Sequence, residues 1–301
     1  MNKIKGMLIG AFLGDALGTP FERHSKIKYT GDLTTTKLYH KDRFGHETTL
    51  DYGQCSDDSE MTIILFNHIK KHNNTIDKDS LILDYIEWAN HKTSFALGKN
   101  TRALFKGIKT LDGYKKRYDK RNKDCQSNGA LMRCSPLVLV DQKYWSIECA
   151  ITNPNKICIE TNMIYLNLLK NALNGIKPNI NTIDRTHLSE PLIEMFKQLD
   201  DNMVRDITKQ KGWCVHGLYC ALHAFNHYTS FGDAMKWIIE SGGDTDTNAT
   251  ITGALYGAYY GYDELYKQQK KNIDCLMNCT TENGNKVRPM KYLPKYINEL
   301  I

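Results

Sequence analysis

The sequence predicts an all-α protein built as a single compact multi-helix domain. Apolar residues recur at three- and four-residue spacings over most of the chain, and strand-like alternation is scarce. No repeat period and no Gly/Ser- or Pro-rich linker divides the 301 residues. That length is enough to enclose a sizeable core.

The N-terminal stretch "MNKIKGMLIGAFLGDALGTP" begins basic and turns apolar, as a cleaved signal peptide would. Asp15 interrupts the apolar run, which is also too short to span a bilayer. Gly6, Gly10, Gly14 and Gly18 recur every four residues, so they share one helical face that lets a second helix approach closely. The reading is a buried helix. Short pieces between Leu33 and Leu50 suit strands or a long loop equally well. "EMTIILFNHIKKH" then turns basic towards its end, which complements the negative end of a helix. "DSLILDYIEWAN" starts on Asp79 and Ser80 as candidate caps. "ICIETNMIYLNLLKNAL" carries a stripe of Ile157, Ile164, Leu168 and Ala172. Residues 174–212 read as a variable insertion, although "SEPLIEMFKQL" inside it reads as a helix with Pro191 in its first turn. "CVHGLYCALHAF" places Val215, Leu218, Leu222 and Phe225 on one face. Residues 262–301 read as a C-terminal helical segment in which Lys267, Lys270 and Lys271 mark a solvated helix end.

Forty basic against thirty-four acidic residues leave a charge of +6, which reads as spread along the chain. It suits an anionic ligand; without an arginine-rich stripe and interleaved aromatics, nucleic acid is not indicated. Nine cysteines, an odd number without a CxxC pair, point to a reducing, cytoplasmic setting rather than a disulfide framework. His216, Cys220 and His223 share a helix face, but one face rarely supplies a full zinc ligand set, so they read as core residues.

Chemistry concentrates in two acidic helix starts. "SDDSE" puts Ser56, Asp57 and Asp58 ahead of an apolar run, and "GGDTDTNAT" puts Asp244, Asp246 and Thr247 ahead of a helix with Gly253, Gly257 and Gly261 four apart. One N-cap needs one acceptor, not two neighbouring acids with hydroxyls on both sides. Four carboxylates gathered without a partner would cost several kcal/mol. Hard divalent cations such as Mg²⁺, Mn²⁺ or Ca²⁺ would offset them. An EF-hand is excluded, because its sixth and twelfth positions hold Ala249 and Leu255. The DxDxT pattern of a phosphohydrolase comes too late in the chain to leave room for that fold.

Four blocks in order resemble the ADP-ribosylglycohydrolase family, the group that includes dinitrogenase-reductase-activating glycohydrolase. They are "GMLIGAFLGDALGTPFE", "GQCSDDSEMT", "SNGALMRCSPL" and "GGDTDTNATITGALYGAYYG", with the weaker "LGKNTRALFKG" between the second and third. The resemblance runs from Gly6 to Gly261. It implies the family's all-α fold with a binuclear metal cleft, and two Mg²⁺ ions, or Mn²⁺ in their place. By position, Ser56, Asp57 and Asp58 bind one metal, Asp244 and Thr247 the other, and Asp246 bridges them. Ser56 replaces the family's usual threonine and keeps its hydroxyl. The implied catalytic set is Glu22, Asp57 and Asp246, with Glu22 activating water or gating the site. Ser127, Asn128 and Gly129 correspond to a loop and helix start that receive the phosphates and distal ribose, while Arg133, inside that helix, suits a phosphate clamp or, at least as well, a structural ion pair. Asn153 follows Thr152 where the family commonly has a histidine lining the substrate site. The implied activity is hydrolysis at C1″ of ADP-ribose, releasing it from a protein side chain or small molecule, without a membrane partner. The alternatives are a non-catalytic ADP-ribose-binding or lens-crystallin-like relative and a metal-dependent phosphohydrolase.

Overall fold

Helix α1 (Asn2–Gly18) is the axis around which the rest is arranged. Every residue from Gly6 to Gly18 is buried, and a helix apolar on all sides belongs in a core. No helix among the described residues is long and apolar enough to cross a membrane. The computed structural model describes residues 1–22, 24–41, 47–94, 96–121, 123–282 and 286–300. After α1 come β1 (Leu38–Lys41), β2 (Glu47–Leu50), α2 (Asp57–Lys71), α3 (Lys78–Asn90), α4 (Lys99–Phe105) and α5 (Leu111–Arg121). Then follow α6 (Lys143–Thr152), α7 (Lys156–Leu173), α8 (Glu190–Asp200), α9 (Cys214–His227), α10 (Phe231–Ser241), α11 (Thr245–Tyr260) and α12 (Tyr262–Asn278). The chain ends on β3 (Thr281–Glu282), β4 (Lys286–Val287) and α13 (Ile297–Leu300). The all-α expectation holds; among the described residues the strands form two small antiparallel hairpins.

The glycine faces of α1 and α11 meet antiparallel. A Cβ on Gly6 would run into the Gly257 carbonyl, one on Gly10 into Gly253, one on Gly14 into Ala249, and one on Gly18 into Thr245. Only bare backbone allows this approach, and the antiparallel register sets the C-terminal end of α1 beside the first turn of α11. Thr245 Oγ1 locks that end by donating to the Gly18 carbonyl at 2.8 Å. Helices α7, α9, α10 and α12 pack around the pair.

Local signals account for most element boundaries. Helix α8 begins after Ser189 with Pro191 in its first turn, as expected. The cap of α3 is Asp77, not Asp79 or Ser80: the helix starts earlier, and the Asp77 side chain accepts from the Ser80 N–H at 3.1 Å. The stretch Leu33–Leu50 resolves in favour of strands at its end, where Leu38 pairs with Leu50 and Lys41 with Glu47; residues 42–46 lie outside the described residues. Lys267, Lys270 and Lys271 lie within α12, around an irregularity at Gln269, rather than at a helix end.

Candidate functional site

The register of α1 against α11 leads directly to the site. Gly242 (φ 70°) and Gly243 (φ 85°) take the left-handed turn that stops α10 and starts α11 at once, a backbone state glycine adopts without strain. Asp246 and Thr247 therefore emerge in the first turn of α11, beside Gly18.

The second acidic start is brought to the same end of α1 by a residue that sequence reasoning treated only as an interruption. The fully buried Asp15 carboxylate accepts from Ser56 N–H (2.9 Å), Ser56 Oγ (2.8 Å), Ser59 N–H (3.0 Å), Ser59 Oγ (2.6 Å) and Thr19 Oγ1 (2.9 Å). It thereby anchors the start of α2 to α1. An acid in an otherwise apolar helix face, with a hydroxyl four residues on, was the available signal.

Both acidic starts open into one cavity of about 1300 Å³. Glu22, Asp57, Asp58, Asp244, Asp246 and Thr247 line it, together with Ser127, Asn128 and Gly129. Carboxylate oxygens of Glu22, Asp244 and Asp246 lie within 4.8 Å of one another. Asp57 and Asp58 stand outside that tight triad; Asp57 Oδ2 accepts from the Gly98 N–H at 2.9 Å, a contact the sequence did not disclose. Ser56 lies behind the lining, buried between Asp15 and Asp58, with Oγ 2.9 Å from Asp58 Oδ2.

The electrostatics of this end are unbalanced. Burial pushes the Asp57 carboxyl well above its ordinary value, and Asp15 and Glu22 push it further. Burial does the same to Asp58, reinforced by Asp15, Asp57 and Asp244. Asp246 follows, raised by burial and then by Glu22, Asp244 and Asp58. The two acidic starts thus feel each other's charge. Asp58 Oδ1 is buried without a hydrogen-bond partner. An orphaned carboxylate oxygen, three converging carboxylates and nearby hydroxyls form an all-oxygen donor set, which fits a hard divalent cation.

The opposite wall departs from expectation. Asn128 donates its N–H to the Gly212 carbonyl (2.8 Å) and its Nδ2–H to Asp244 Oδ2 (2.7 Å), tying the "SNG" turn to the second acidic start. No helix starts here: residues 128–133 are turns that lead into a short 3₁₀ segment, Ser135–Leu139. Pro136 has no N–H to continue an α-helix, and Arg133 Nη1 donates to the Gly129 carbonyl that a helix would use. Of the two roles open to Arg133 the structure has the ion pair and not the phosphate clamp: Nε lies 2.7 Å from Glu148 Oε1 and both side chains are fully buried. Asn153 does not line the cavity. It is buried behind Ser127 and donates Nδ2–H to Ser127 Oγ at 3.0 Å and to the Ser127 carbonyl at 3.1 Å. His216 and His223 prove to be core residues: His216 Nδ1 accepts from Arg205 Nε at 3.1 Å, and burial lowers both imidazoles to a pKa of about 4.

A sequence model described as ADP-ribosylglycohydrolase matches residues 1–282. A relative from Acanthamoeba polyphaga mimivirus, named as an ADP-ribosyl glycohydrolase, is 25% identical, with 92% of this chain and 91% of that one aligned. The ADP-ribosylarginine hydrolase Tri1 of Serratia proteamaculans (strain 568) is 25% identical over 89% of this chain and 74% of its own. The ADP-ribosyl-[dinitrogen reductase] glycohydrolase of Rhodospirillum rubrum is 23% identical over 88% and 87%. Among solved structures, a chain of an "ADP-ribosylglycohydrolase-related protein complex" superposes with a TM-score of 0.69 at 21% identity, covering 91% of this chain and 95% of that one, which shows the shared fold.

Proposed function

The chain belongs to the ADP-ribosylglycohydrolase family, a family of hydrolases, and from that premise we propose that it cleaves the bond between C1″ of ADP-ribose and an attached protein side chain or small molecule. The observation that carries this reading is the convergence of the two acidic helix starts on one cavity, across from Ser127, Asn128 and Gly129.

In this reading Ser56, Asp57, Asp58, Asp244, Asp246 and Thr247 would hold two Mg²⁺ ions, or Mn²⁺ in their place. When bound, such ions supply a Lewis acid for the ribose hydroxyls and for water. Asp15 keeps the Ser56 hydroxyl proton pointed into the protein, leaving an oxygen lone pair for coordination. Ser127, Asn128 and Gly129 line the cavity, where the Ser127 hydroxyl receives the pyrophosphate. Asn153 acts from behind, fixing Ser127 rather than touching substrate. Glu22 is exposed at the rim and within reach of Asp246. It takes a proton from the attacking water and returns one to the departing group, so that HO adds to C1″ and H to the leaving atom. We place this activity in the cytoplasm, on the ground that nine cysteines without paired spacing suit a reducing compartment.

A panel of ADP-ribose conjugates through arginine, serine, O-acetyl and nucleobase linkages tests the proposal, each assayed with and without Mg²⁺. ADP-ribose is released from at least one conjugate, and Asp246→Ala lowers that rate at least about 10³-fold. Full turnover after chelation of divalent ions, or by Asp246→Ala, overturns it.

A further inference from the structure

The positive charge is not spread along the chain as its total suggested. Residues 99–124, from α4 through the segment after α5, hold ten Lys and Arg against three Asp, a net +7, so the rest of the chain sums to −1. Lys99, Arg102, Lys109, Lys115, Lys116, Lys120 and Lys123 are exposed on this ridge.

A second basin of about 510 Å³ opens between α4 and α5, lined by Arg102, Ala103, Lys106, Lys116, Arg117 and Lys120. Five cations and no carboxylate face it. Arg102, Ala103 and Lys120 also line the main cavity, so the two spaces share a wall. Two of the five cations are half-buried and held in place by neutral groups. Lys106 Nζ donates to the Ala89 carbonyl (2.8 Å) and Ser94 Oγ (2.9 Å); Arg117 Nη1 donates to the carbonyls of Ala103 (3.2 Å) and Lys106 (2.5 Å). These acceptors orient the charged heads without cancelling their charge. Among the described residues, none of the five cations forms an ion pair with a carboxylate. Packed cations that lack an internal counter-ion concentrate a field suited to an external anion.

We propose that this basin binds the phosphodiester backbone of a nucleic-acid strand whose attached ADP-ribosyl group enters the main cavity. Free ADP-ribose brings only two phosphates, and the Ser127–Gly129 turn already faces them in the function proposed above. Five cations in the basin, and Lys109, Lys115 and Lys123 beyond it, exceed that need but match a chain that adds one phosphate per nucleotide. Arg102 and Arg117 offer the planar fork that suits phosphate oxygens. The ADP-ribosyl half of the inference rests on the proposed hydrolysis; strand binding does not.

The test is fluorescence anisotropy of labelled, unmodified single-stranded DNA and RNA of roughly 15 nucleotides, with the full chain, from about 50 to about 200 mM salt. The wild type binds, and its affinity falls steeply with salt. Lys116→Ser with Lys120→Ser binds at least about tenfold more weakly, with a salt slope shallower by about 1.4, two lost contacts at ~0.7 each. Lys109→Ser with Lys115→Ser, a second surface pair, moves both readings in the same direction. Asp246→Ala binds the strand as the wild type does, which separates a failure here from a failure of the hydrolytic reading. Absence of binding at low salt, equal binding by both lysine pairs and wild type, or displacement of the strand by polyglutamate as effectively as by unlabelled oligonucleotide overturns the proposal.

Discussion

Buried charge is treated in opposite ways in two parts of this molecule. On the α2–α3–α6 side, charges are answered from within. Arg133 and Glu148 pair at 2.7 Å; Thr152 Oγ1 also accepts from Arg133 and the Tyr85 hydroxyl donates to Glu148 Oε1, while Glu148 Oε2 is buried without a hydrogen-bond partner. Glu60 receives both Arg288 Nε (2.7 Å) and Nη2 (2.5 Å), plus Trp88 Nε1 (2.6 Å). Burial alone would lower the Arg133 guanidinium, yet the Glu148 carboxylate holds it above its ordinary value. At the cavity end Asp57, Asp58 and Asp246 are buried too, and burial first, then acidic neighbours, push each of them up. The first arrangement is a set of internal cross-links. The second gathers buried carboxylates with no ion pair among the described residues, an arrangement suited to a cation or to protons taken up from outside, and stability given up in this way is a mark of function.

The comparison can be broken by substitution. Its largest test is Arg133→Met, which leaves Glu148 buried without its cation and costs about 3–5 kcal/mol by urea denaturation. The same logic reverses sign at the cavity. Asp58→Asn relieves repulsion, so the metal-free protein gains about 0.5–2 kcal/mol while Mg²⁺-induced stabilisation is lost. Destabilisation of both variants would mean that the two regions do not differ as argued.

A subtler variant sharpens the role of Asp15. Asp15→Asn replaces an acceptor of five hydrogen bonds with an amide that can accept at one end only. It lowers Mn²⁺ affinity by about 10–100-fold in calorimetry while shifting the affinity for ADP-ribose analogues far less. Equal loss of both would reduce Asp15 to a general fold element.

The smallest effect is in pH. The folded pKa values of Asp57, Asp58 and Asp246 lie above the unfolded value of about 3.9, so the folded state holds protons more tightly than the unfolded. Their contribution is complete below pH of about 4 and is lost as pH rises through the raised values. Melting of the metal-free protein should therefore show this stability declining from acid towards neutral pH, with Mg²⁺ giving a larger rise in Tm at pH 8 than at pH 5. A Mg²⁺ effect independent of pH would sink the electrostatic account.

The sequence by itself determined the all-α class, the glycine faces and the two acidic helix starts, because each is written in residues three or four apart and forms through local burial and capping. It also named Glu22, Asp57, Asp58, Asp244, Asp246 and Thr247, with Ser127, Asn128 and Gly129, a minority of the residues that line the cavity, and left Arg133 open between a phosphate clamp and an ion pair. Only the tertiary structure decided how these parts meet. Asp15 joins α1 to α2 across 41 residues, the Asp244 start reaches Asn128 across 116, and Asn153 withdraws from the cavity to hold Ser127 from behind. The turn that replaces the helix at "SNGALMR" depends on a carbonyl taken by Arg133, whose position is set by Glu148. Such partners are chosen by backbone approach between helices distant in the chain, above all the close contact of α1 with α11, and no periodicity within either segment specifies which groups will then face one another.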